Sequence, residues 1–126
     1  MVQVETSQLT GECNSWREQL RKYREEFSQD KARLQDAASR TLSKEQLQDV
    51  EHLHNQFHIQ LINVHDLKHA IKSHEQKISY EMNVNNGKLS HELMAEHDAL
   101  LDQYQSLEIT LQDLREEFDQ FLSRTA

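Results

Sequence analysis

The sequence has no proline and only two glycines, Gly11 and Gly87, in 126 residues. Average usage would supply about 6 prolines and about 9 glycines in this length. Without them almost nothing interrupts a helix, and no glycine-rich phosphate cradle can form. Cysteine is reduced to Cys13, which excludes an intramolecular disulfide and a cysteine cage for zinc. Apolar runs near the roughly 18 residues of a membrane span are missing. The opening Met1-Val2-Gln3-Val4-Glu5 lacks the basic and apolar regions of a signal peptide. Positive charge is also short. The net charge of −8 leaves no basic footprint for nucleic acid or for an anionic membrane surface. These absences lead to an expectation of a cytoplasmic, all-α protein with no cofactor, no nucleic acid partner and no direct membrane insertion.

What is present is helical periodicity. Leu9, Cys13, Trp16, Leu20, Tyr23, Phe27 and Leu34 recur at alternating steps of four and three, a heptad seam on a helix over about 5–39. Asp30 interrupts the seam, and local exposure or a neighbouring cation would account for it. Ser43 followed by Gln46 has capping-box spacing, with Leu42 and Leu47 placed as a hydrophobic staple, so a second helix is expected over 44–82. On this helix Val50, Leu53, Phe57, Leu61, Val64, Leu67, Ile71, Ile78 and Met82 share a face broad enough to pack against two neighbours. The Asn83-Val84-Asn85-Asn86-Gly87 stretch reads as a joint, and the heptad phase shifts by one residue across it. Ser90, with Leu89 and Met94 as its staple, should cap a third helix over about 91–123. That helix has seam rows at Leu93, Leu100, Leu107, Leu114, Phe121 and at His97, Tyr104, Leu111, Phe118. Three similar lengths and short joints predict one domain, an antiparallel up-down-up three-helix bundle or coiled coil, with a long hairpin or rod completed by a second chain as the rival. Trp16, Phe57 and Leu107 are expected in its core.

The pattern resembles a spectrin-type repeat. The resemblance is carried by Trp16 in the first seam and by Val50-Glu51-His52-Leu53 leading to Phe57, Leu61 and the pair His74-Glu75. Tyr104 stands where family members often have a tryptophan, and the first segment is longer than usual. The resemblance implies a scaffolding or spacer role and no chemical site.

Histidine is the one enriched reactive residue. His54, His58, His65 and His69 fall within about 60° on the helical wheel, and two pairs have metal-ligand spacing. No glutamate follows the first histidine of either pair, and two ligands do not close a site. These rings are therefore read as half-buried flanks of the apolar face, with a metal- or pH-responsive role as the rival. Cys13 reads as a small core hydrophobe. No arrangement for nucleophilic or acid–base catalysis has a suitable context, and the chain is not expected to be an enzyme. Charge suggests partners instead. Arg17, Arg21, Lys22 and Arg24 form a basic patch on the first helix; Asp113, Glu116, Glu117 and Asp119 make the end of the third acidic. In an up-down-up bundle these sets are expected at opposite ends, where they are either a solvated surface or a means of head-to-tail self-association or contact with protein partners. The resulting expectation is a non-enzymatic scaffold, spacer or adaptor. Its rival is a regulatory or trafficking bundle of the syntaxin or BAG type, binding a partner helix through positions such as Ile59, Ile62 and Ala70.

Overall fold

A computed structural model describes residues 2–40, 42–84 and 88–125, with side chains from residue 6 onward. It contains three helices: α1 (Val2–Ala38), α2 (Lys44–Val84) and α3 (His91–Thr125). Asn85, Asn86 and Gly87 of the second joint lie outside the described residues, and Asn83 and Val84 form the last turn of α2. Helices of 37, 41 and 35 residues make a rod of roughly 50–60 Å. No helix of the described residues is long and apolar enough to cross a membrane.

Both capping serines act as their spacing predicts. The Gln46 N–H donates to Ser43 Oγ at 3.1 Å and the Ser43 N–H donates back to Gln46 Oε1 at 2.9 Å, a complete capping box. Its staple is not buried, because Leu47 is 50% exposed. Ser90 Oγ accepts from the Leu93 N–H at 3.1 Å, while Glu81 of α2 accepts from both the Ser90 N–H and its hydroxyl. That cap ties the start of α3 to α2. Leu89 and Met94 pack against the core.

Heptad steps place one row of each helix inside. On α1 the row runs unbroken through Leu9, Cys13, Trp16, Leu20, Tyr23, Phe27, Asp30, Leu34 and Ala37. α2 buries Leu53, Phe57, Gln60, Val64, Leu67, Ile71, His74 and Ile78, and the two polar members, Gln60 and His74, extend the row that the apolar residues mark. Leu107 is only partly buried, unlike Trp16 and Phe57. Contacts fix the direction of each helix. Cys13, His97 and His74 meet at one level, and Phe27, Phe57 and Phe118 at another. Moving up α1 therefore means moving down α2 and up α3. The helix order is up-down-up, with α1 and α3 parallel. Phe57 meets Phe27 and Phe118 edge-on, at ring separations of 5.4 and 5.2 Å, a geometry aromatic quadrupoles favour.

Asp30 is not locally exposed. It is 2% accessible and accepts from Arg115 Nε of α3 at 3.1 Å and from Arg33 of its own helix at 3.5 Å. The neighbouring-cation account is the one that holds.

Candidate functional site

Each helix contributes one polar residue to a single buried layer: Cys13 from α1, His74 from α2 and His97 from α3. Their exposures are 0, 0 and 3%. His74 Nε2 lies 3.0 Å from His97 Nδ1, and Cys13 Sγ lies 3.9 Å from the same Nδ1. The two outward ring nitrogens both meet carboxylates. His74 Nδ1 is 2.7 Å from Glu96 Oε1, and His97 Nε2 is 2.7 Å from Glu12 Oε2. Glu12 and Glu96 each immediately precede a seam residue, Cys13 and His97. One step of 100° puts them at the edge of the core, half in water. Lys77 Nζ and the Gln8 side-chain amide donate to the outer oxygens of Glu96 and Glu12. Trp16 lies against His97 at a ring separation of 4.9 Å, with Tyr104 stacked on Trp16 at 5.8 Å.

The electrostatics follow from burial and pairing. Burial pushes His74 towards its neutral form, against the pull of Glu96. The His97 hydrogen bond holds Glu12 below the usual carboxylate range. Burial raises Glu96, but hydrogen bonds from Lys77 and His74 outweigh it and leave that carboxyl low as well. Burial, reinforced by Glu75 and Glu12, pushes the Cys13 thiol up to about 12. Burial and the Glu108 contact also raise the Tyr104 phenol.

Proton counting shows what the layer can do. Three contacts run in series, from Glu96 to His74, from His74 to His97 and from His97 to Glu12. Each needs one proton, and two neutral imidazoles carry two. With both carboxylates ionised, the ring N–H groups serve them. His74 Nε2 and His97 Nδ1 are then both acceptors, facing one another beside the Cys13 sulfur. The arrangement is suited to holding one cation between the rings, either a proton or a metal ion.

The histidines singled out from the sequence are elsewhere. His54, His58, His65 and His69 are all exposed, so they are not half-buried flanks of the core. Among the described residues they form no metal-ligating group of three. The charged sets are also placed differently from expectation. Tyr23 meets Glu108 and Asp30 meets Arg115, both 85 residues apart in sequence. Arg17–Arg24 are therefore level with about residues 102–109 of α3, roughly ten residues or about 15 Å from Asp113–Asp119. They are not at opposite ends. Part of each set is also engaged within the molecule. Arg17 forms a bidentate pair with Glu75, Arg21 pairs with Glu18, and His52 pairs with Glu117. Lys22, Arg24, Asp113, Glu116 and Asp119 face solvent.

The sequence did contain a signal for the buried layer. His74 and His97 stand at similar distances from the end of α2 and the start of α3, so two antiparallel helices put them opposite one another. His97 already lay in a seam row, and Cys13 lay in the seam of α1. A wheel drawn for one helix at a time does not show that the three share a level.

The chain matches no protein-family model, no curated protein and no solved structure.

Proposed function

We propose that this chain is a non-enzymatic helical interaction module that serves as a cytoplasmic scaffold, spacer or adaptor. The observation that carries protein binding, common to this reading and to its rival, a regulatory bundle that takes a partner helix, is an apolar edge of α2 outside the core. Ile59 and Ile62 are 45 and 47% exposed. At 100° per residue they share one side of α2 with Asn63, Asp66 and Ala70, which line a shallow groove against Gln103 and Leu107 of α3. Ile59, Ile62 and Ala70 thus stand outside the packed core. Ala70 lines the groove together with Leu67 and Leu107, and Ile59 and Ile62 stand about one turn before it on the same side of α2, a shape that takes an amphipathic helix. The free charges supply a second surface. Lys22 and Arg24 of one rod can meet Asp113, Glu116 and Asp119 of another when the rods lie side by side with a stagger of about 15 Å, rather than head to tail. The three-helix outline agrees with a spectrin-type unit in general shape, which supports a spacer role. A reducing compartment suits the free, buried Cys13.

The test is site-specific photocrosslinking in living cells. A photoreactive residue at position 62 or 116 should give discrete protein adducts, whether with a second copy or another protein. The same residue at exposed Gln35 should not. Labelling at 62 and 116 no stronger than at 35 would overturn the reading.

A further inference from the structure

We propose that Cys13, His74 and His97 form a binding site for one divalent transition-metal ion of the zinc class, which clamps the three helices together at one level of the rod. The donor set is the first argument. Two imidazole nitrogens and one sulfur, one from each helix, all lie within 4.8 Å of one another, and this soft and borderline set suits zinc, cobalt or copper over magnesium or calcium. A tetrahedral zinc ion with Zn–N near 2.0 Å and Zn–S near 2.3 Å needs its nitrogens about 3.3 Å apart and each about 3.5 Å from sulfur. The observed N···N distance is 3.0 Å and the nearer N···S distance is 3.9 Å, so side-chain shifts of a few tenths of an ångström satisfy these two spacings. The farther N···S distance, within 4.8 Å, has to close by up to about 1 Å, which a rotation of the Cys13 side chain towards the rings supplies. The protein supplies three ligands, and the fourth position falls to water or an exogenous ligand.

The surroundings of the ligands are the second, independent argument. Metal-bound histidines almost always donate the distal N–H to a carboxylate or carbonyl, which fixes the tautomer and aims the other nitrogen at the ion. Here both histidines have that partner, Glu96 for His74 and Glu12 for His97, each at 2.7 Å. Charge is the third. With the thiol protonated, Glu12, Glu96 and Lys77 sum to −1. A divalent ion that displaces the thiol proton to solvent brings Cys13 to −1 and the whole group to zero. A divalent ion reverses the local field, so its sulfur ligand binds as a thiolate.

The test uses the full reduced, metal-stripped chain with cobalt(II) as probe, followed by zinc(II). One cobalt per chain should bind, with a thiolate-to-cobalt charge-transfer band, quenching of Trp16 fluorescence and release of about one proton. Zinc should abolish the band. With free zinc about a hundred-fold above Kd, Tm should rise by about 10 °C. Cys13→Ala should remove the band while preserving the helical spectrum. Glu12→Gln and Glu96→Gln, at the half-exposed edge, should each weaken binding by about 10–100-fold. Changing His54, His58, His65 and His69 together to Gln should leave the band and affinity intact. Three results would overturn the proposal: no charge-transfer band, binding insensitive to Cys13→Ala, or binding lost with the four exposed histidines. The first would leave the layer a site for a proton only.

Discussion

Replacing Asp30 with leucine should stabilise the bundle. Asp30 occupies a seam position at 2% exposure, between Phe27 and Leu34. Burial raises its carboxyl above the usual aspartate range despite the attraction of Arg115, so ionised Asp30 is unfavourable in the folded chain. A buried leucine contributes about 1.5–3 kcal/mol by transfer, and fitting a larger side chain costs part of this. Arg115 keeps Glu26 as a partner at 2.6 Å, and it is 39% exposed, so it is not stranded. The net expectation for Asp30→Leu is a gain of about 1–2 kcal/mol at neutral pH. Arg115→Met should act in the opposite direction, because it leaves a buried carboxylate with only the long contact to Arg33. Its loss should be about 1–3 kcal/mol, below the range for fully buried pairs because Arg115 is partly solvated. The pH dependence has a definite sign. A raised folded-state value means that the stability contributed by protonated Asp30 is fully present below its unfolded value. That stability is lost as pH rises through the folded value. The advantage of Asp30→Leu should therefore be smallest in acid and grow to a plateau above the folded-state value. Urea unfolding followed by helical circular dichroism at pH 4 and pH 7 measures all three quantities. The reasoning is refuted if Asp30→Leu loses more than about 1 kcal/mol at pH 7 while Arg115→Met is silent, since the pair would then be worth more than the apolar contact.

Other outcomes follow from single positions. Gly11 is helical, and a Cβ added there meets nothing within 4 Å, so Gly11→Ala should raise stability by about 0.5–1 kcal/mol in urea titration. Phe57→Ala removes the middle ring of an aromatic layer and should cost about 3–5 kcal/mol; a loss under about 2 would mean that the layer refills. Ser43→Ala breaks half of the capping box and should cost about 0.5–2 kcal/mol, with faster amide exchange in the first turn of α2.

Features that depend on neighbours in sequence were legible before any coordinates. Ser43 and Gln46 act within one turn, so four letters are enough to specify both of their hydrogen bonds. The α1 seam was equally plain, because its 4-3 steps are a property of one helix. Features that depend on axial level were not. The Ser90 cap was visible, but its partner Glu81 lies on another helix. Asp30 read as an interruption because Arg115 is 85 residues away. The exposed histidine stripe is visible in the sequence because its members are close together along the chain. The buried pair is 23 residues apart and meets only after the hairpin closes. Helical wheels report angle, whereas a site between helices also needs height.

The parallel course of α1 and α3 has a mechanical consequence. The start of α1 and the end of α3 lie at opposite ends of the rod, with α2 running back between them. A load drawn between those two points pulls α1 and α3 in opposite senses along their own axes, and α2 resists both. The seams are then strained like a lap joint. The layer of Cys13, His74 and His97 and the layer of Phe27, Phe57 and Phe118 carry the load together, instead of parting one after another as in a hairpin peeled from its open end. Rupture in that geometry requires many layers to slip at once, and a crosslink at any one level would hold the others in register.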